Sequence, residues 1–243
     1  MLRKLQKHSM SINGCEFEFS LREDSKADSG VFRQIFVDKD YSLSRWKQGF
    51  CLNKHYQFLL DGGFRPLIVD AGANIGASAA YFMSWYKRSY LYALEPAPEN
   101  CELFRLNLSS FNNWSLYPGA LSSSSQIKRL KLRSDWGHRL TDDGDLPVSC
   151  IDVPTILRDL HSIRVAPFVL KIDIEGGESD IIGSDLTWVD SFPLIIIEFH
   201  DWAYPFAGTS REFMRAITEF DFDIVVRGEN VFFFNRRVLL NYY

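Results

Sequence analysis

From about Pro66 onward the chain alternates short apolar runs with helical patterns, and this alternation specifies a parallel sheet covered by helices on both faces. The first run is Pro66–Asp70, followed by a glycine-containing turn and a helix to about Tyr86. The second is Tyr90–Glu95, with a helix opening at Pro98, where proline suits the first turn. Trp114–Tyr117 reads as a third strand, and Ile127–Arg133 with Pro147–Ile151 as a hairpin or edge addition. Asp152 has the chemistry to cap a helix that carries Ile156, Leu157 and Leu160 at helical spacing. Phe168–Asp173 and Leu194–Phe199 are near-continuous apolar runs, as central parallel strands buried on both faces require. Thr209 to Glu212 has the capping-box pattern ahead of Phe213, Ile217 and Phe220. Phe222–Val226 and Val231–Phe234, around a turn at Arg227–Asn230, form an antiparallel hairpin that closes an otherwise parallel sheet.

A chain of 243 residues, 46% of them hydrophobic, holds one such α/β domain with a short appendage. We place the domain at residues 66–243 and read residues 1–65 as an N-terminal cap, with a strand at Val31–Val37 and a mostly helical stretch at Tyr41–Leu60. The net charge of −4 argues against a nucleic-acid surface, which needs a basic excess. Cys15, Cys51, Cys101 and Cys150 lie far apart with no CxxC pair, which excludes a disulfide framework or a structural zinc and fits a reducing, cytoplasmic setting. Cys101 falls in a helical pattern with Phe104 and Leu108 and reads as a core filler. Met1–Ser9 is basic but has no apolar stretch after it, unlike a signal peptide, and runs such as Phe192–Ile197 are too short to insert in a bilayer.

The chemistry gathers at the ends of the predicted strands. Residues 70–76 (DAGANIG) sit where a strand hands over to a helix, so Gly72 and Gly76 allow a sharp turn and close approach of a ligand to the backbone. A dinucleotide fingerprint needs glycine at position 74, and Asn74 disfavours NAD. Asp70, an acid at the strand end, suits a ligand carrying an ammonium group. Glu95 ends the next strand about 19 residues after Gly76, near the interval at which an acid meets ribose hydroxyls. Residues 171–178 (KIDIEGGE) end the fourth strand, where alternation puts Lys171, Asp173 and Glu175 on one side and a ligand cleft is expected. Glu198 and His200 end the fifth strand on the same side. His8, His55, His138 and His161 have no such context and read as surface or packing residues.

In these blocks the chain resembles the FkbM-type methyltransferase family. The matching segments are Ile68–Gly76 (IVDAGANIG), Leu94–Asn107 (LEPAPENCELFRLN), Gly119–Ser122, Leu170–Glu178 (LKIDIEGGE) and Ile196–His200 (IIEFH), and Val31–Tyr41 is similar to the entry segment of some members. The resemblance covers roughly residues 31–235. It implies a class I, Rossmann-like methyltransferase sheet, S-adenosylmethionine as donor, and O-methylation of a sugar, polyketide or other small-molecule hydroxyl. It also implies that Asp70, Gly72, Asn74, Gly76, Glu95, Ala120 and Asp173 hold the donor. Transfer to nitrogen or a carboxylate, and a Rossmann-like binding module without catalysis, are the competing readings. Ser134–Asp145 matches no block and reads as a specificity loop.

For catalysis the expectation centres on His200 as general base, since an unperturbed imidazole accepts a proton at neutral pH, with Asp173 and Glu198 shaping the field or orienting the ring. This reading needs no metal. A competing one has Asp173, Glu198 and His200 bind a divalent cation, magnesium or manganese, that activates the hydroxyl.

Overall fold

The computed structural model describes residues 4–131, 139–141, 143–183 and 185–243. Half of the expected specificity loop, residues 134–138 (with His138) and 142, lies outside them. In chain order the elements are β1 (Leu5–Ile12), β2 (Cys15–Arg22), α1 (Lys26–Phe32), a π-helical turn (Arg33–Val37), α2 (Lys47–Asp61), β3 (Arg65–Ala71), α3 (Ala77–Trp85), β4 (Tyr90–Leu94), α4 (Pro98–Asn107) and β5 (Trp114–Tyr117). There follow β6 (Ala120–Leu121), β7 (Gln126–Lys131), β8 (Arg139–Thr141), β9 (Leu146–Ile151), α5 (Val153–Leu160), β10 (Val165–Ile172), β11 (Leu194–Glu198), α6 (Arg211–Ile217), β12 (Phe222–Arg227), β13 (Asn230–Asn235) and α7 (Arg236–Leu239).

The central sheet has seven strands in the order β12-β13-β11-β10-β3-β4-β5. From β11 to β5 neighbouring strands are parallel, and β13 and β12 join antiparallel, so the α/β sheet closed by a terminal antiparallel hairpin is confirmed. All five residues of β11 are buried, as are the last five of β10, because helices cover both faces. One face packs α2, α3, α4 and the N-terminal elements through Leu52, Phe82, Phe104 and Phe19. The other packs α5 and α6 through Ile156, Phe213 and Ile217. A separate four-stranded sheet, β6-β9-β7-β8, has its own small core of Ala120, Leu130, Val148 and Cys150. Strand order reverses between β3 and β10: the chain steps outward from β3 through β4 to β5 and returns to β10 on the other side of β3. Loops leave the two strands in opposite directions there, and ligands of open α/β sheets bind in the crevice this makes at the carboxyl ends. No helix among the described residues is long and apolar enough to cross a membrane.

Two expectations are corrected, and one unexpected element is added. Val31–Val37 is not a strand but the end of α1 and the π-helical turn, because Phe32 and Phe36 meet at 5.2 Å on one side and pack on Phe19. The capping box before α6 does not form. The Thr209 hydroxyl instead donates to Asp201 Oδ1 at 3.2 Å, and Ser210 caps with no side-chain bond. The N-terminal segment also holds a hairpin, β1–β2, whose two-residue Asn13-Gly14 turn has both φ angles positive, the geometry that Asn-Gly supplies. Asp152 caps α5 as expected, accepting from the Thr155 N–H at 2.8 Å. Cys101 is buried in α4, with its thiol donating to the Glu95 carbonyl.

Candidate active site

The turn after β3 lies against the end of β10. Gly72 has φ +77°, and a Cβ there would stand 1.7 Å from the Asp173 carbonyl oxygen. Gly76 has φ +90°, and its Cβ would stand 2.6 Å from the side chain of Leu108, the C-cap of α4. Both glycines are therefore required by packing within the chain itself. Asn74 takes a positive φ as well, and its N–H donates to Glu95 Oε2 at 2.8 Å. The N-terminus of α3 carries no side-chain cap, which leaves its first N–H groups facing the turn.

Glu95 is buried at the end of β4. Its Oε1 accepts from the Ala97 N–H at 2.9 Å and from Asn100 Nδ2 at 3.3 Å. Two carboxylate oxygens offer about four lone-pair sites, so the three donors leave room for one more. Burial pushes this carboxyl up to about 7, against the pull of the Ala97 and Asn74 N–H groups. Asn100 in turn accepts from Arg22, whose guanidinium also grips the buried Asp28 at 2.8 Å. A polar chain thus runs from the N-terminal cap to the β3 turn. Arg22 and Asn100 were not among the expected site residues. Asn100 lay inside the matching block, but its partner 78 residues earlier left no local signal.

Asp70 has a different partner from the one expected. Its fully buried carboxylate meets the Lys171 ammonium at 3.1 Å and accepts from the Ser78 hydroxyl at 2.6 Å, so the cation it faces is the protein's own. Lys171 also donates to the Gly72 carbonyl at 2.8 Å and stands 3.5 Å from Asp173 Oδ2. Burial opposes the ammonium charge, but Asp70 and Asp173 more than offset it and hold the group protonated. Tyr41, stacked on Phe82 with ring centroids 5.2 Å apart, brings a buried phenol into the field of Lys171, Asp173, Asp70 and Glu198.

The ends of β10 and β11 meet around His200, which is 3% exposed. Its Nδ1 hydrogen-bonds Glu178 Oε1 at 2.8 Å. Its Nε2 lies 3.4 Å from Glu175, 3.8 Å from Asp173 and 3.8 Å from Glu198. Glu178 also accepts from the Gly176 N–H at 3.0 Å, so one buried carboxylate fixes both the imidazole and the turn that presents Glu175. Glu178 stood in the KIDIEGGE block without an assigned role, because its partner comes from the next strand 22 residues later. Burial and the Asp173 charge push Glu175 up to about 7 and Glu198 up to about 9. For His200, burial works downward, but the Glu178 hydrogen bond and the charges of Asp173 and Glu175 outweigh it and raise the ring to about 9. The reading of His200 as a general base assumed an unperturbed imidazole, and the surrounding carboxylates raise its affinity for a proton. Ala120 is buried in the core of the smaller sheet and adds no polar group. Of the other histidines, His55 is buried beside Tyr242 and His8 packs against Phe32, its ring tilted to that of Phe32.

The model of the family described as the methyltransferase FkbM domain matches residues 70–224, which spans the β3 turn, Glu95 and the His200 cluster. Methyltransferase 1 of Beauveria bassiana (strain ARSEF 2860) is 23% identical over 206 residues, covering 73% of this chain and 75% of that protein. Among solved structures, the S-adenosylhomocysteine-bound methyltransferase PaMTH1 of Podospora anserina has a TM-score of 0.42 at 12% identity, covering 88% of this chain and 90% of that one. The O-methyltransferase of Bacillus cereus, also in complex with S-adenosylhomocysteine, has a TM-score of 0.40 at 10% identity, covering 85% and 91%. The family match takes in more than half of the chain and all four strand-end blocks, and the chain belongs to the FkbM methyltransferase family, with S-adenosylmethionine as its methyl donor.

Proposed function

We propose that the chain methylates a hydroxyl oxygen of a small molecule, of the sugar or polyketide kind. The observation that carries this reading is the acidic pocket around His200, beside the β3–β10 crevice. An alcohol is a poor nucleophile until its proton leaves, and carboxylates within hydrogen-bond reach assist that loss. The same pocket is a poor host for the alternatives. A carboxylate acceptor would bring a further negative charge beside Asp173 and be repelled. An amine would be held there as its ammonium form, which has no free lone pair to attack with. A polyanionic nucleic acid would be repelled as well.

The donor side of the crevice fits the cofactor: an uncapped helix N-terminus, a turn in which Gly72 and Asn74 are half-buried, and a buried Glu95 with acceptor capacity left. When bound, S-adenosylmethionine supplies an electrophilic methyl group on a sulfonium. Glu95 receives its ribose hydroxyls, and the backbone from Gly72 to Gly76 borders it. Asp70 positions Lys171, which holds the Gly72 carbonyl and so fixes the turn against β10. Asp173 and Glu175 orient the acceptor oxygen and receive its proton, and Glu198 and His200 hold them in place. Holding acceptor and methyl at near-attack distance then provides most of the acceleration.

The test is a panel of hydroxylated, amino and carboxylic acceptors incubated with donor and read by mass spectrometry. Product is expected from hydroxyl acceptors alone. Methylated amines or acids, with the alcohols untouched, would overturn the assignment.

A further inference from the structure

We propose that Asp173, Glu175 and His200 form a divalent-cation site, suited to magnesium or manganese, at the carboxyl end of β10. One ligand atom from each of the three lies within 4.8 Å of the others. Nε2 of His200 is 3.4 Å from Glu175 Oε2 and 3.8 Å from Asp173 Oδ1. Neighbouring ligands on an octahedral ion with bonds of about 2.1 Å stand about 3 Å apart, so small side-chain rotations bring these atoms to ligating distance.

The imidazole is the second, independent observation. It is 97% buried by its 3% exposure, its Nδ1 is tied to Glu178, and its Nε2 is aimed between the two carboxylates. Nε2 lies 3.4 Å from Glu175 Oε2, and 3.8 Å from oxygens of both Asp173 and Glu198. A buried carboxylate that holds one ring nitrogen while the other faces the candidate ligands is the outer-shell arrangement of metal-binding histidines. Glu178 is itself fully buried, and its Oε2 has no hydrogen-bond partner among the described residues.

Charge points the same way. Asp173, Glu175, Glu178 and Glu198 surround the one imidazole, and the nearby Lys171 ammonium is shared with Asp70. A divalent cation would favour the ionised form of these carboxylates. The base of the site is closed, while the side chains of Asp173 and Glu175 are 28% and 35% exposed. The open side leaves room for the waters that magnesium and manganese retain, and for an acceptor oxygen. Two carboxylates and one imidazole with no thiolate favour these hard ions. Glu198, expected as a ligand in the competing sequence reading, is replaced in this set by Glu175.

The cation's role, to bind the acceptor oxygen and ease loss of its proton, rests on the proposed hydroxyl methylation; its binding does not. The experiment is a titration of the full chain with Mn²⁺, following loss of the free-ion electron paramagnetic resonance signal, with Mg²⁺ added in competition. S-adenosylhomocysteine binding is measured in parallel. One displaceable Mn²⁺ per chain is expected, lost in His200→Ala and Asp173→Asn and weakened about 10–100-fold in Glu178→Gln. Glu175→Gln, at the most exposed of the ligands, reports the same loss should a buried variant fail to fold. No Mn²⁺ bound at millimolar ion, or binding unchanged in the folded variants, overturns the site. With S-adenosylhomocysteine still bound, that result leaves the methyltransferase reading standing. Mn²⁺ bound as expected but products only from amines or acids would keep the site and remove the hydroxyl assignment.

Discussion

His200→Ala is expected to lower turnover on a hydroxyl acceptor by about 10²–10⁴-fold while donor affinity stays intact. The imidazole is the hub that four carboxylates share: Glu178 holds one nitrogen, and Glu175, Asp173 and Glu198 face the other. Without it the acceptor side loses the group that sets the spacing of those carboxylates, and they repel one another. The donor contacts lie elsewhere, at Glu95 and the β3 turn, which is why affinity for S-adenosylhomocysteine separates this effect from a general loss of structure. Glu178 also loses its partner in this variant, so turnover is compared per donor-bound molecule. Asp173→Asn, which keeps the size of the side chain, is expected to fall in the same range. Full activity in both folded variants would mean that positioning by other residues supplies the rate.

The second large effect is on stability. Gly72→Ala is expected to cost about 2–5 kcal/mol, from about 1–2 kcal/mol for a left-handed backbone and about 1–3 kcal/mol for overpacking. For a chain of this size that is a fall in Tm of roughly 4–20 °C in the absence of any ligand. The added methyl would stand 1.7 Å from the Asp173 carbonyl oxygen, which is main chain at the end of a central strand and has nowhere to turn. Were the glycine needed only to admit the donor, the ligand-free protein would melt unchanged and donor binding alone would suffer. Thermal melts with and without S-adenosylhomocysteine separate the two.

How much of this was legible in the sequence depended on the range of the interaction. The core strands β3, β4, β10 and β11 were readable because burial on both faces makes them continuous apolar runs, and the hairpin at Phe222–Asn235 because its turn is local. The strand ends could be placed together by topology alone, which brought Asp173, Glu198 and His200 to one cleft. What topology could not give was pairing at side-chain scale. The Asp70–Lys171 ion pair links residues 101 positions apart, and Asp70 looked free to meet a ligand. Glu178 looked like the end of a glycine turn until β11 delivered His200 to it. The π-helical turn at Arg33–Val37 looked like a strand because its apolar residues are dense, and their spacing acquires meaning only against Phe17 and Phe19.

The most direct test of the central claim is calorimetric titration of S-adenosylhomocysteine into the full chain at pH 8 and pH 6. Glu95 has its carboxyl raised to about 7, so at pH 8 it is a charged acceptor for ribose hydroxyls and at pH 6 it is mostly protonated. Binding at a single site is expected at pH 8, weakening by up to about tenfold at pH 6, with that pH dependence absent in Glu95→Gln. No heat of binding at pH 8 with millimolar S-adenosylhomocysteine would contradict the account.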